Sequence, residues 1–219
     1  MFLHKDEKYK QFNAKIIPQI LPQRIIGVRV PILKKLASKI VKEKNYKEFL
    51  SNPQKYYLEE FILYGFIVDR LNLDFLQTIN LVENILPYID NWAACDLLSF
   101  KVFKNNINIL MPYIQKWLKS DMPYTQRFGL VVLIKYFSKE NFTPQVFKLA
   151  LLPKSKQPCV VMAQGWLYSY LLMYHYNQTL PLFLNNSLPR DVHNMAIKKA
   201  IESRVIDNTT KAYLKTLKK

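Results

Sequence analysis

Glycine is scarce in this sequence. Only four glycines occur among 219 residues: Gly27, Gly65, Gly129 and Gly165. Sheet-rich and loop-rich folds need many positions with positive φ, which glycine fills most readily. The scarcity therefore favours helices joined by tight turns that proline marks. It also excludes the glycine-rich motifs that cradle phosphates, because neither GxGxxG nor GxxxxGK[ST] can be written with these spacings.

Cysteine and histidine are also few. Cys95 and Cys159 cannot build a disulfide framework, and they indicate a reducing compartment. The three histidines, His4, His175 and His193, lie far apart and lack the spacing of a metal pair. No Ser/His/Asp motif with a nucleophile elbow occurs. We therefore expect no metal site and no cofactor.

Charged residues are missing from one long segment. None occurs between Lys156 and Arg190, and residues 159–176 are largely apolar and aromatic. Polar residues interrupt that run, whereas membrane spans keep about 20 predominantly apolar residues. The segment therefore predicts a buried core helix, with a transmembrane helix as the alternative. Residues 1–10 lack the apolar stretch of a secretory signal. We expect a soluble, monomeric, cytoplasmic protein with no membrane partner.

Positive charge is abundant and unevenly distributed. The chain has 32 Lys+Arg and 16 Asp+Glu, a net charge of +16. Residues 1–90 hold 14 basic and 10 acidic side chains, a net of +4, whereas residues 91–219 hold 18 and 6, a net of +12. Such an excess attracts phosphate backbones or anionic membranes. The second part is the better candidate for a nucleic-acid face, although a solvated lysine coat has the same composition.

Apolar residues recur at helical spacing along the whole chain. The pattern predicts helices over residues 30–44, 57–71, 73–89, 92–103, 107–118, 124–137, 144–152, 160–176, 190–203 and 209–218. Asn, Asp, Ser and Pro mark the breaks between them, and no long linker occurs. We therefore predict an all-α fold with one domain over residues 1–219.

One segment is echoed later in the chain. Residues 85–92 and 110–117 share the pattern apolar-apolar-Pro-Tyr-Ile-polar-polar-Trp, 25 residues apart. Repetition at such a period is typical of an α-solenoid of stacked helix pairs, which presents a concave face that suits duplex DNA. The alternative is a coincidental Pro-Tyr pair at two helix starts.

The segment over residues 90–96 could carry chemistry. Trp92 and Asp96 are four residues apart, so on a helix they share one face. A carboxylate beside an aromatic ring suits a cation or a sugar with developing positive charge. The alternative is that Trp92 is a core residue and Asp96 an exposed charge or a helix cap.

Three further residues are candidates for nucleic-acid contacts. Arg127 lies near the start of a strongly apolar helix, where it could hold a phosphate or pair with Asp121. Lys135 lies two turns further on. Trp166 lies in the uncharged segment, where simple core packing is the alternative.

Four segments together resemble the AlkD-like DNA alkylation repair family, whose members are HEAT-repeat DNA glycosylases. They are residues 27–37 (GVRVPILKKLA), 90–96 (DNWAACD), 124–129 (YTQRFG) and 193–203 (HNMAIKKAIES). The resemblance extends from about Tyr9 to the C-terminus. It implies an α-solenoid of HEAT-like repeats with a concave basic groove for duplex DNA.

The resemblance also implies an activity and its residues. Family members break the N-glycosidic bond of cationic N3- or N7-alkylated purines while gripping the lesion's backbone and deoxyribose. Asp96 matches the catalytic Asp, Trp92 and Trp166 match the two Trp that flank the deoxyribose, and Arg127 and Lys135 match contacts to the DNA backbone. The charged purine is already a good leaving group, so the enzyme mainly has to stabilise an oxocarbenium-like sugar.

The sequence departs from the family pattern at two places. Only eight residues precede Tyr9, where typical glycosylases of the family carry an additional N-terminal helix, so we expect a short form. Pro158 and Cys159 replace an aromatic pair before the helix of the second Trp. Three hypotheses follow: a DNA glycosylase, which the retained site residues favour; a non-catalytic HEAT-repeat protein that binds DNA or senses its structure; and a protein-binding solenoid.

Overall fold

A computed structural model describes residues 1–219, and the protein is all-α, as the sequence predicts. It has fourteen α-helices and three short 3-10 helices. The α-helices are α1 (Glu7–Ile16), α2 (Val30–Lys42), α3 (Lys47–Ser51), α4 (Leu58–Arg70), α5 (Phe75–Ile85), α6 (Trp92–Leu97), α7 (Lys101–Lys104), α8 (Ile107–Leu118), α9 (Pro123–Phe137), α10 (Gln145–Ala150), α11 (Pro158–Tyr174), α12 (Tyr176–Leu184), α13 (Arg190–Glu202) and α14 (Asn208–Thr216). Met1–Asn106 and Ile107–Lys219 form two compact units.

Local sequence signals fix where several helices begin. A side-chain oxygen at the N-cap position accepts a hydrogen bond from a backbone N–H of the first turn, which satisfies one of the donors left free there. Proline in the first turn of α2, α9 and α11 suits a helix start, since proline has no N–H to satisfy. The side-chain caps are Asp6 of α1, Asp74 of α5, Asn91 of α6 and Asp207 of α14.

In the first unit, α2, α4 and α6 run parallel to one another. The start of α4 lies beside the residues that precede α2, and its end lies beside the middle of α2, where Arg70 donates to Ser38 Oγ at 2.8 Å. A Cβ added to Gly65 of α4 would lie 2.5 Å from Cδ2 of Leu98, the residue that ends α6. Close approach of these backbones therefore positions α6 against α4.

In the second unit, α9, α11 and α13 also run parallel. Arg127 in the second turn of α9 bonds to Cys159 in the first turn of α11, and Ser138 after α9 contacts His175 after α11. Gly165 in the middle of α11 lies against Met195 of α13. Side-by-side parallel helices are the arrangement that stacked helical repeats have.

Many of the cross-helix hydrogen bonds join residues the same distance apart in the chain. A separation of 32 residues occurs in five such bonds: Arg24 to Tyr56, Gly27 to Glu59, Arg70 to Ser38, Lys101 to Asp69 and Arg127 to Cys159. This separation differs from the 25 residues of the sequence echo. The first copy of that echo covers the end of α5 and the start of α6, whereas the second lies inside α8, so the echo is coincidental.

Some predicted helices need correction. The single helix over residues 92–103 is wrong: α6 ends at Leu97, and α7 begins at Lys101, because the Asp69 carboxylate accepts from the Lys101 N–H and starts a new turn. The prediction missed α1, α3 and α12. No helix combines the length and apolar character needed to cross a membrane. The superhelix, its concave groove and the single domain over residues 1–219 stay predictions.

Candidate functional site

Helix α6 carries Trp92 and Asp96 and has a firmly held start. Asn91 is fully buried, and its side-chain oxygen accepts from the Ala94 N–H at 2.8 Å. The Asn91 amide also donates to Asp90, which forms an ion pair with Arg24. Because both the cap and its neighbour are held, the orientation of this six-residue helix is defined although the helix is short.

Trp92 and Asp96 share one face of α6, as their four-residue spacing predicts, and both line one cavity in the first unit. The cavity has a volume of about 250 Å³, and its wall is mostly apolar. Both side chains are half-buried, so Trp92 is not a pure core residue and Asp96 is not a fully exposed charge. The other lining residues include Tyr9, Phe12, Asn13 and Ile16 of α1 and Glu59 and Ile62 of α4.

Helix α1 forms one wall of this cavity and leaves aromatic surface beside it. The indole Nε1 of Trp92 donates to the Ile16 carbonyl at 3.3 Å, which links α6 to the end of α1. Tyr9 and Phe12 stack with their centroids 6.3 Å apart, and Phe12 is 55% exposed. A flat apolar ligand could therefore contact Phe12 without displacing it.

Glu59 is a structurally important residue that the sequence reasoning missed. It is 1% exposed, and its carboxylate accepts from the amides of Ile26, Gly27 and Val28 at 3.0, 2.6 and 3.1 Å. The available signal was a glutamate at the start of the apolar run over residues 58–68. Three converging N–H groups satisfy a buried carboxylate, which would otherwise be strongly unfavourable.

The loop held by Glu59 in turn holds the start of α1. The Gly27 carbonyl accepts from the Asp6 N–H at 3.0 Å, and the Arg29 guanidinium pairs with the Asp6 carboxylate at 2.9 Å. The backbone N–H of Tyr9 and the Arg29 side chain both lower the pKa of Asp6. A chain of contacts therefore runs from Glu59 through Gly27 to the helix that walls the cavity.

Arg127 in the second unit is 3% exposed and joins two helices. Its Nη1 donates to the Cys159 carbonyl at 2.7 Å. Burial raises the pKa of the Cys159 thiol, and the charge of Arg127 partly opposes that rise. The segment Pro158-Cys159 thus begins the first turn of α11 and supplies the acceptor for Arg127.

Trp166 and Lys135 reach the surface of the same unit. Trp166 is half-buried on α11, and its ring meets the Tyr170 ring edge-on at 6.0 Å. Trp166 is therefore not a pure core residue, because part of its ring is exposed to solvent. Lys135 is exposed near the end of α9. Gly165, beside Trp166, lets α13 approach, because an added Cβ would collide with Met195.

The structure brings together some of the predicted site residues. Trp92 and Asp96 share one cavity in the first unit, whereas Arg127, Lys135 and Trp166 lie on the adjacent parallel helices α9 and α11 of the second unit. No group of three or more His, Cys, Asp or Glu side chains is placed to hold a metal ion. The cavity that Asp96 lines is bordered mostly by apolar and aromatic side chains.

Fold and site together define an all-α protein of parallel-stacked helices with a half-buried carboxylate and indole on one cavity wall. The model of the DNA alkylation repair enzyme family matches residues 4–203, nearly the whole chain. The protein therefore belongs to the DNA alkylation repair enzyme family. Comparisons with curated proteins and with solved structures find no significant match.

Proposed function

We propose that this protein is a DNA glycosylase that hydrolyses the N-glycosidic bond of cationic N3- and N7-alkylpurines in duplex DNA. The positively charged base leaves with the bonding electrons, and water adds to the sugar carbon and loses a proton. The leaving group needs no protonation, so catalysis consists mainly of stabilising the oxocarbenium-like sugar. The Asp96 carboxylate supplies the opposing charge and orients the water.

The observation that carries the proposal is the placement of Trp92 and Asp96 on one wall of a cavity. An indole face attracts positive charge through its ring quadrupole, and a carboxylate attracts it directly. Half-burial strengthens both effects, because the effective dielectric constant is lower than in bulk water. A carboxylate would repel phosphate, so backbone binding alone gives no reason to keep Asp96 there.

The second unit supplies the proposed contacts to DNA. It contains 16 basic and 5 acidic residues, a net of +11. Trp166 offers its indole ring to a deoxyribose, and Lys135 contacts a backbone phosphate. Arg127 provides positive charge for a phosphate while it holds the first turn of the helix that carries Trp166. The affinity for DNA should then fall steeply with salt.

The test is incubation with methylated duplex DNA, with released base and strand breaks at abasic sites as readouts. We expect Asp96→Asn to lower the excision rate by at least about 100-fold while the Kd for DNA changes by less than about twofold. Asp121→Asn is the matched control, since it removes the same charge from an exposed site. Excision by Asp96→Asn at the wild-type rate would refute the assignment. Salt-sensitive binding with no excision by the wild-type protein would instead favour a non-catalytic DNA-binding protein.

A further inference from the structure

Four partly exposed apolar side chains form a continuous row along α11. Met162, Trp166, Tyr170 and Tyr174 recur every four residues, and we call them the α11 stripe. Met162 and Tyr174 are 42% and 40% exposed. The Trp166 and Tyr170 rings, and then the Tyr170 and Tyr174 rings, meet edge-on with centroids 6.0 Å apart. The three rings thus extend over about 12 Å of helix.

This row is unusual for its position on the helix. The opposite side of α11 is buried, with α9 and α13 packed beside it, so the stripe is the side that remains open to solvent. The solvent side of a helix usually carries polar residues, and a contiguous apolar surface there marks an interaction site. Packing within the second unit therefore does not explain why three aromatic rings lie on the solvent side of α11.

Positive charge predominates in the part of the chain that carries the stripe, which favours an anionic ligand. Neither Asp nor Glu occurs between Asn141 and Arg190, an interval that holds Lys148, Lys154 and Lys156. Lys139, just after α9, places its ammonium 5.8 Å from the centre of the Tyr174 ring. A cation therefore stands at one end of a row of aromatic rings that has no carboxylate along its own helix.

Aromatic rings beside a cation match the chemistry of unpaired nucleotides. A base offers its flat face for stacking only when it is unpaired and unstacked, whereas an intact duplex offers base edges and phosphates. We propose that the α11 stripe binds unpaired DNA bases, with Tyr170 and Tyr174 as stacking residues and Lys139 as a phosphate contact. The proposal takes DNA as the ligand from the proposed function, but it does not require excision.

Fluorescence anisotropy with three labelled DNAs tests this proposal. The probes are a fully paired duplex, the same duplex with a run of unpaired thymidines in one strand, and a single-stranded oligothymidine. We expect Tyr170→Ala and Tyr174→Ala each to weaken binding of the two probes with unpaired bases at least about fivefold, and that of the paired duplex less than about twofold. Tyr170→Phe and Tyr174→Phe should bind as the wild type does, because the ring remains.

The control is Tyr88→Ala, which removes a tyrosine of the first unit that is as exposed as Tyr174 and should leave all three affinities unchanged. Lys139→Gln should weaken binding of the unpaired probes and reduce the salt dependence of that binding. Circular dichroism verifies that each variant is folded. Equal affinities of Tyr170→Ala, Tyr174→Ala and wild type for the unpaired probes would overturn the proposal, as would equal losses on all three probes. Excision measured on the paired, methylated duplex tests the proposed function separately.

Discussion

Arg127 and Cys159 are joined by a 2.7 Å hydrogen bond from the guanidinium Nη1 to the backbone carbonyl. The bond connects the second turn of α9 to the first turn of α11, the helix that carries Trp166. It also places a permanent positive charge next to the Cys159 thiol, whose pKa it lowers against the stronger effect of burial. The chemical reactivity of Cys159 therefore reports on the position of Arg127.

Thiol modification as a function of pH should detect this charge. In a Cys95→Ser background, the midpoint of the pH profile for modification of Cys159 should lie above that of an ordinary thiol, because burial raises its pKa. Arg127→Gln should move the midpoint further up, since the stabilising cation is lost. Lys148→Gln, which removes an exposed lysine, is the control. A midpoint that stays fixed or moves down in Arg127→Gln would show that the guanidinium does not act on the thiol.

Removing the Glu59 side chain should destabilise the protein strongly. Glu59→Ala leaves three buried N–H groups without their acceptor, and we expect a loss of about 3 kcal/mol or more in the free energy of unfolding. Glu59→Gln keeps one acceptor oxygen and should lose less. Urea unfolding measures both, with the exposed Glu48→Gln as the control. A loss by Glu59→Ala no larger than that of the control would contradict the role given to this carboxylate.

Substitution of Gly27 should destabilise the protein through backbone strain, which substitution of a helical glycine does not cause. Gly27 has φ of +92°, and an added Cβ would lie 2.5 Å from the Asp6 carbonyl oxygen. We expect Gly27→Ala to lower the free energy of unfolding by on the order of 2 kcal/mol, through backbone strain and displacement of α1.

Gly129→Ala is the comparison for Gly27, because its Cβ would meet the flexible end of Leu118 at 2.9 Å. Alanine also favours a helix interior over glycine, which offsets part of that crowding. Urea unfolding of both variants distinguishes them. If Gly27→Ala is as stable as Gly129→Ala, the loop does not impose the strain inferred from its geometry.

Acid should weaken the second unit through His193. This histidine is fully buried, its Nε2 lies 2.8 Å from the Leu217 carbonyl oxygen, and its Nδ1 has no hydrogen-bond partner. Burial lowers its pKa below the ordinary histidine value of 6.5, because a charged ring would leave a second N–H unsatisfied. The unfolded chain therefore binds the proton first, and the stability falls as the pH drops below about 6.5.

Urea unfolding between pH 7.5 and pH 5 measures this effect. We expect His193→Gln to be less stable at neutral pH and to lose less stability on acidification over that window. His4→Gln, which alters an exposed histidine, should follow the wild-type slope. Parallel slopes for the wild type and His193→Gln would show that another group is responsible.

Local patterns in the sequence predicted most helices. They did not predict the helix boundaries and helix positions that long-range contacts determine. Apolar residues at helical spacing predicted α8 at its observed bounds, and predicted α4 and α13 to within one residue at each end. The break after Leu97 could not be predicted, because Asp69, which starts α7, lies 32 residues earlier in the chain. The prediction also missed α1 although Asp6 is a local cap for it, and the contacts that hold this helix in place come from Gly27 and Arg29, later in the chain.

In the candidate site, too, local spacing predicted one feature, and contacts between separate helices determine the rest. The spacing of Trp92 and Asp96 predicts a shared face, and the structure places both on one cavity wall. Sequence could not predict that α1 would form the facing wall or that Glu59 would hold it, because these contacts join separate helices. The partner of Arg127 escaped prediction for a different reason: the acceptor is a backbone carbonyl, which every residue has and no side-chain motif encodes.

The recurring separation of 32 residues has a consequence for how the chain reaches its fold. Each of these five contacts closes a loop of 32 residues, so the loop entropy of a contact does not grow with the length of the chain. Such topologies have low contact order and fold quickly, and neighbouring segments can dock in succession. During synthesis, the segments that these five bonds join would therefore meet about thirty residues after the first of each pair is made, before α14 exists.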